Sequence, residues 1–197
     1  MKQKTTFFQQ RIYPLTFMLA VTIACILPTA FLHLATQEKA TSNELSFTRR
    51  AILQASGVTF ANTPSGIEQA YLNSITAKDG YYIASTPGGK RYVIPAQGPG
   101  LWGTISIMAG FEEDGKTLSG IAIVSQSETP GLGARIEEPW FTAQFKGMHA
   151  PFSLAGEGAT KKAGEVDGIT GATRTSEFFR NLVNKVSKDA PSIIQGA

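Results

Sequence analysis

Two glycines and two threonines are concentrated in residues 167–173, which read Asp-Gly-Ile-Thr-Gly-Ala-Thr. Glycine lets a backbone turn tightly and approach a ligand closely. The apolar residues that follow recur at helical spacing, and they are Phe178, Phe179, Leu182, Val183 and Val186. Because Thr175 or Ser176 is expected to cap this helix, Thr173 is predicted at or just before its N-terminus. Free N–H groups and the helix dipole favour an anion such as a phosphate there.

The motif Asp-x-x-Thr-Gly-Ala-Thr resembles the flavinylation motif of the covalent-FMN-binding domain. That domain occurs in the G subunit of the Rnf ion-translocating electron-transport complex and the C subunit of the Na⁺-translocating NADH:quinone reductase. Residues 128–133, Glu-Thr-Pro-Gly-Leu-Gly, resemble its other signature, and the resemblance covers roughly residues 90–190. It implies that Thr173 carries FMN through a phosphoester bond and that a separate flavin transferase needs Asp167. A helix-entry turn rich in Thr and Gly is the alternative interpretation.

The same resemblance implies further FMN contacts in three short segments. They are Thr170, Gly171 and Ala172 in the motif, Glu128, Thr129 and Leu132 in the upstream loop, and Leu101 and Trp102 in a Gly-Leu-Trp element. Proline and glycine predict a tight loop at residues 128–133, on which a polar Glu-Thr pair and an apolar leucine can face a flat ligand. For Trp102 the alternative is an ordinary core aromatic.

Three other kinds of redox or metal site are not favoured by the sequence. Residues 98–103 read Gly-x-Gly-x-x-Gly, but a strand pattern follows where a dinucleotide fingerprint requires a helix, and no acidic residue stands about twenty positions on. Cys25 is the single cysteine, so this chain alone cannot hold an iron–sulfur cluster. His33 and His149 lie far apart and do not suggest a metal site. Redox chemistry would therefore need an organic cofactor.

The charge of the chain is unevenly distributed. The 197 residues carry a net charge of +3, and the whole excess comes from Lys2, Lys4 and Arg11. From residue 36 onward, 15 Lys and Arg balance 15 Asp and Glu. A neutral body argues against nucleic acid as a partner, because nucleic-acid binding needs a basic patch.

The segment from Leu15 to Leu34 is uncharged, and as a helix it would span roughly 30 Å, the thickness of a bilayer. A cleaved signal peptide is the alternative, but the run is long and no clean Ala-x-Ala site follows, which favours an uncleaved anchor. Pro28 lies inside the run, which membrane helices tolerate. The positive-inside rule then predicts a single-pass protein of the inner membrane with a cytoplasmic N-terminus and an extracytoplasmic FMN domain.

The remaining pattern predicts an α+β fold, in which an antiparallel sheet is packed by helices. Strands are expected at residues 81–85, 91–95, 104–111 and 117–124, with a hairpin turn at Asp114-Gly115. Helices are expected at residues 64–75, 137–145 and after the motif. The expected organisation is an N-terminus and anchor over residues 1–35, a helical connection over 36–80, the FMN-binding domain over 81–190 and a loose tail over 191–197.

Together these features predict a membrane-anchored electron carrier with covalent FMN. Since no iron–sulfur or nicotinamide site is expected, the single chain would be one relay of an oxidoreductase complex that moves Na⁺ or H⁺. Its expected partners are the other subunits, the flavin transferase and the membrane. Thr-Gly-Ala-Thr is more like the G subunit and Gly-Leu-Trp more like the C subunit. The alternatives are a stand-alone anchored flavoprotein serving another reductase, and an assembly subunit that never receives the flavin.

Overall fold

The structure is a computed structural model that describes residues 12–159 and 162–195. It divides into two compact units, the first ending at Leu45 and the second beginning at Ser46. Helix α1 (Tyr13–Ser56) contributes to both.

In the first unit, α1 exposes every described side chain from residue 12 to residue 45. Among the described residues, α1 is the one helix long and apolar enough to cross a membrane, a property that a signal sequence shares. Pro28 lies within it, as predicted. Lys2, Lys4 and Arg11, which carry the prediction of sidedness, lie outside the described residues.

The second unit is built around a five-stranded antiparallel sheet in the order β1-β2-β3-β4-β5. Its strands are β1 (Ile75–Lys78), β2 (Tyr81–Thr86), β3 (Gly89–Pro99), β4 (Thr104–Phe111) and β5 (Leu118–Ser125). The four strands predicted from alternation and turn residues are confirmed, and β4 does follow the glycine-rich segment 98–103. Strand β1 is an addition, in a segment expected to be a helical connection.

Helices and a small second sheet complete this unit. Helix α2 (Pro64–Ser74) precedes β1, and a 3₁₀ helix (Gly133–Glu137) leads into the short helix α3 (Pro139–Ala143). Strands β6 (Ser153–Ala155) and β7 (Glu165–Asp167) form a parallel pair. Helix α4 (Thr173–Gln195) closes the chain.

The two faces of the large sheet are covered differently, because successive strand residues point to opposite sides. One face packs against α3 and α4 in a core that contains the fully buried aromatics Phe111, Phe141, Phe145 and Phe179. The other face packs against the last turns of α1, through Ala51, Ile52 and Ala55 on the helix and Val93, Met108 and Ala122 on the strands. The end of α1 is therefore part of the core of the second unit.

Small residues and two hydrogen bonds hold the end of α1 on the sheet. A Cβ atom on Gly110 would lie 2.0 Å from the Ala55 carbonyl oxygen. The Ser119 hydroxyl donates to that oxygen at 2.9 Å, and the Arg91 guanidinium donates to the Ser56 carbonyl at 2.8 Å. The last carbonyls of a helix have no partner within it, so these two contacts satisfy groups that would otherwise be buried without one.

Helix α4 differs from its prediction at both ends. It continues to Gln195 and includes Pro191, whereas a loose tail was expected from residue 191. Ala190 is fully buried, and Ile193 and Ile194 pack against the core, which favours continued helix. At its other end the helix begins at Thr173, so neither Thr175 nor Ser176 is its N-cap.

Candidate functional site

Thr173 is the first residue of a 23-residue helix and is exposed. The predicted position at a helix N-terminus is thus confirmed. Ser176, which was expected as a possible cap, is instead fully buried one turn inside the helix. Its hydroxyl accepts a hydrogen bond from the Ile169 N–H at 2.9 Å and donates one to the Ala172 carbonyl at 3.0 Å. This hydroxyl ties the turn that precedes Thr173 to the helix.

Side chains from other segments fix the remaining backbone of the motif. The Asp167 N–H donates to the Gln144 side-chain oxygen at 2.7 Å, just after α3. The Thr170 N–H donates to Glu157 at 2.8 Å. Gly171 has φ of +79°, a left-handed conformation that favours glycine. The loop that carries Thr170 and Gly171 to the surface therefore has a defined shape in the described structure.

Glu157 is a charged group in direct contact with this loop. One carboxylate oxygen accepts from Thr170, and the other lies 3.1 Å from the Arg135 guanidinium. The pKa of the Glu157 carboxyl is lowered to about 2, first by the backbone N–H of Thr170 and then by the side chain of Arg135. Arg135 also pairs with Glu138 at 3.4 Å and lies over the Trp140 ring. Glu157 thus connects Thr170 of the motif, through a hydrogen bond, to Arg135 of the 3₁₀ helix, through an ion pair.

Glu128 is buried, with 5% of its surface exposed, and both of its carboxylate oxygens accept hydrogen bonds from the protein. One oxygen accepts from the backbone N–H groups of Leu101, at 2.8 Å, and Trp102, at 3.2 Å. The other accepts from the Thr175 hydroxyl at 2.6 Å. Thr129 is exposed, and its carbonyl closes the loop by accepting from Leu132 at 3.1 Å.

Three apolar side chains predicted to contact FMN are exposed. The exposed fractions are 49% for Leu101, 70% for Trp102 and 45% for Leu132. The interpretation of Trp102 as a core aromatic is therefore wrong. Leu132 lies against the motif, because a Cβ atom on Gly171 would be 3.2 Å from its Cδ2 atom. The structure thus brings Leu132 to the loop that precedes Thr173, and Glu128 links the Leu101-Trp102 turn to α4.

A cavity of about 600 Å³ opens beside Thr173. Its lining includes Glu157, Thr170, Gly171, Glu177 and Arg180. Ala172, predicted as a flavin contact, is 8% exposed and packs in the core, so its side chain faces inward. The motif residues that line this cavity are Gly168, Ile169, Thr170, Gly171 and Thr173. Of these, Thr170, Gly171 and Thr173 are exposed.

The residues present fit a flavin mononucleotide. An exposed hydroxyl at a helix N-terminus suits a phosphate, because the helix dipole and free N–H groups favour negative charge there. Exposed leucine and tryptophan side chains suit a flat aromatic ring. Both features occur on segments that Glu128 joins through Leu101, Trp102 and Thr175.

The sequence of residues 100–188, which includes every one of these side chains, matches a known family. That family is the FMN-binding domain. The match confirms the resemblance seen in the two motifs.

Curated relatives of the FMN-binding domain belong to ion-translocating enzymes. The C subunit of the Na(+)-translocating NADH-quinone reductase of Vibrio anguillarum is 38% identical over 104 residues, which are 49% of this chain and 41% of that protein. The G subunit of the ion-translocating oxidoreductase complex of Methanosarcina acetivorans is 38% identical over 86 residues, 44% of each chain. The chain thus spans less than half the length of the curated relatives it matches.

Two crystal structures share the fold. The C subunit of the Na(+)-translocating NADH-quinone reductase from Parabacteroides distasonis has a TM-score of 0.66 and 24% identity, covering 77% of this chain and 94% of that one. NqrC of Shewanella oneidensis has a TM-score of 0.61 and 17% identity, covering 73% and 90%. At these identities the likeness shows the fold alone, and it confirms the predicted α+β architecture.

The residues that hold the loops of this site together were not predicted from the sequence. Gln144 and Glu157 contact the motif, and Arg135 pairs with Glu157. All three lie in segments without a recognisable motif, and their contacts depend on the fold. Thr175 did carry a signal as a hydroxyl next to the motif, but its partner Glu128 is 47 residues away in sequence. Hydroxyls at a helix start suggest capping first. Here the Thr175 hydroxyl instead makes a long-range contact with Glu128, and the Ser176 hydroxyl holds the preceding turn against the helix.

Proposed function

We propose that this chain is a membrane-anchored electron carrier that holds FMN covalently on Thr173. We place it as one subunit of an ion-translocating electron-transport complex. The FMN-binding domain over residues 100–188 supports the cofactor. The names of the relatives from Vibrio and Methanosarcina support the setting. FMN, when bound, supplies the transfer of one or two electrons, and the residues of this chain bind, orient and shield it.

The observation that carries the proposal is the position of Thr173. Its hydroxyl is exposed at the first residue of α4, next to the cavity lined by Thr170 and Glu157. Gly171, two residues earlier, lies near the exposed Leu132 side chain, which a Cβ atom on Gly171 would approach to 3.2 Å. A phosphate on Thr173 would therefore lie where helix N–H groups favour an anion, with apolar side chains close by.

Magnitudes favour a covalent bond over simple binding. An exposed anion at a helix N-terminus gains about 0.3–1 kcal/mol. A micromolar dissociation constant requires about 8 kcal/mol. Contacts of Leu101, Trp102 and Leu132 with the flavin ring would add to the binding free energy from the helix N-terminus. All three side chains are nevertheless exposed to solvent. A phosphoester to Thr173 prevents loss of the cofactor irrespective of these contacts.

Asp167, Thr170 and Gly171 are proposed to present Thr173 to a flavin transferase. Their backbone is already fixed by Gln144 and Glu157, so the transferase would meet a formed loop rather than order it. Preformed binding surfaces avoid the entropy cost of ordering on association. Leu101, Trp102 and Leu132 are proposed to cover one side of the isoalloxazine ring.

We further propose that α1 anchors the chain in the inner membrane, with the N-terminus in the cytoplasm and the FMN-binding domain outside it. The positive charge of Lys2, Lys4 and Arg11 supports this orientation. A phosphatase fused after Ala197 should then be active, and a reporter that works only in the cytoplasm should be inactive. The reverse pattern would contradict the orientation.

Purification of the native complex tests the function as a whole. The full chain, tagged and expressed with its flavin transferase, should co-purify with other membrane subunits and carry flavin in its absorption spectrum. A flavin-loaded chain without such subunits would favour a stand-alone flavoprotein. A chain in its complex but without flavin absorption would contradict the proposed role as an electron carrier.

A further inference from the structure

The buried Glu128 side chain lies between the turn at residues 100–103, its own loop at residues 128–133 and the first turn of α4. The turn at residues 100–103 is held by a 2.6 Å hydrogen bond from the Gly100 N–H to the Gly103 carbonyl. A Cβ atom on Gly100 would lie 2.4 Å from the Glu128 carboxylate, and one on Gly133 would lie 2.8 Å from it. The carboxylate thus lies against two glycines, with Gly100 beside one oxygen and Gly133 beside the other. A side chain larger than that of glycine at either position would come too close to the Glu128 carboxylate.

The hydrogen bonds of Glu128 join the same three segments. Its first oxygen holds the two consecutive N–H groups of Leu101 and Trp102, and its second holds the Thr175 hydroxyl in the first turn of α4. A carboxylate is an acceptor through both oxygens, so three donors suit it. Hydrogen bonds to a carboxylate are also stronger than neutral ones. The distance between Trp102 and the start of α4 therefore depends on this side chain.

We propose that Glu128 is a positioning residue for the flavin site and does not itself contact the flavin. It fixes Leu101 and Trp102, whose side chains are exposed, relative to the helix that begins at Thr173. This inference rests on the proposed function, because it concerns where the ring contacts lie relative to the attachment residue. It revises the expectation that the polar side chain of Glu128 faces the ligand, since both of its oxygens are taken by protein donors.

The proposal makes a prediction for the protein without flavin. In the full chain purified in detergent without the transferase, Glu128→Ala should speed hydrogen exchange of the Leu101 and Trp102 amides about tenfold or more, because their acceptor is lost. Exchange in β4, for example at Ile107, should be unchanged. A general loss of stability would speed exchange at both places. Glu128→Gln, which keeps one acceptor oxygen, should restore much of the protection.

The flavin-loaded protein supplies the second readout. The parent and Glu128→Ala should carry the same covalent flavin load on a denaturing gel. In the native variant, flavin fluorescence should rise toward its denatured value, because Trp102 no longer lies at a fixed place beside the ring. Should Glu128→Ala fail to fold, Thr175→Val removes the hydrogen bond between α4 and Glu128 while keeping the shape of the side chain. Thr175→Ser retains the hydroxyl and is the matched control.

Two results would overturn the positioning role. One is parental protection of Leu101 and Trp102 in folded Glu128→Ala. The other is an unchanged ratio of native to denatured flavin fluorescence in both Glu128→Ala and Thr175→Val. Either would leave the proposed function intact as long as the parent chain carries flavin. A parent chain that takes no flavin would overturn the proposed function, and the positioning role with it.

Discussion

The Glu128 carboxylate accepts a hydrogen bond of 2.6 Å from the Thr175 hydroxyl, across 47 residues of sequence. Both groups are buried, with exposed fractions of 5% and 1%. The contact connects the loop that follows β5 to the helix that presents Thr173. The exposed Thr173 is thus positioned by a buried hydrogen bond between Glu128 and Thr175.

Gly133 provides a direct test of how tightly this link is packed. A Cβ atom there would lie 2.7 Å from the Thr175 hydroxyl and 2.8 Å from the Glu128 carboxylate. Gly133→Ala should therefore destabilise the protein by about 1–3 kcal/mol, the usual cost of overpacking. The measurement is the thermal unfolding of the full chain in detergent.

The matched control is Gly156→Ala, because a Cβ atom there would meet nothing within 4 Å. Its effect should stay within about 0.5 kcal/mol, as for most surface substitutions. Equal stability of the two variants would show that the surroundings of Gly133 yield easily.

Patterns along the sequence predicted the sheet and the position of Thr173, because alternation, turn residues and helical spacing are local signals. The tail was mispredicted since Pro191 suggests a helix end locally, whereas packing of Ile193 and Ile194 decides the outcome. Strand β1 was missed because four residues, three of them exposed, show little alternation. The partners of Glu128 could not be predicted, since they depend on which loops the fold brings together.

Glu157 should make the motif loop sensitive to acid. Its folded pKa is about 2, below the ordinary value of 4.5, because the Thr170 N–H and Arg135 favour the charged form. A lowered folded pKa stabilises the fold above the unfolded pKa, and this stabilisation is lost as the pH falls toward the folded pKa. The loss is therefore expected between about pH 4.5 and 2.

The measurement is the difference in unfolding temperature between the parent and Glu157→Gln. This difference should be constant well above pH 4.5 and should shrink as the pH falls through 4.5 toward 2. Glu137→Gln, which removes an exposed carboxylate from the 3₁₀ helix, is the control. A difference that does not change with pH would show that the charge of Glu157 contributes nothing to the loop.

Leu132 and Trp102 should affect the flavin without affecting its attachment. If both contact the ring, Trp102→Ala and Leu132→Ala should keep the full flavin load and shift its reduction potential, because packing and local polarity set that potential. Leu72→Ala on α2 removes another exposed apolar side chain and serves as control. Potentials that match the parent in both variants would remove these two residues from the flavin site.

Asp167 should matter for attachment more than for stability. Its backbone is held by Gln144 whatever its side chain, so Asp167→Ala should fold. Because the transferase is proposed to recognise the carboxylate, the variant should remain without flavin when both proteins are expressed together. Asp79→Ala, between β1 and β2, should load normally. A normal flavin load in Asp167→Ala would contradict this recognition.

The most direct test of the account is to locate the flavin on the chain. The full chain, expressed with the transferase and denatured, should fluoresce as a gel band at its own mass of about 21.1 kDa plus FMN. Mass spectrometry should place the FMN on Thr173, and Thr173→Ala should abolish the fluorescence while Thr170→Ala retains it. FMN on Thr170, or flavin that is lost on denaturation, would contradict the covalent role assigned to Thr173.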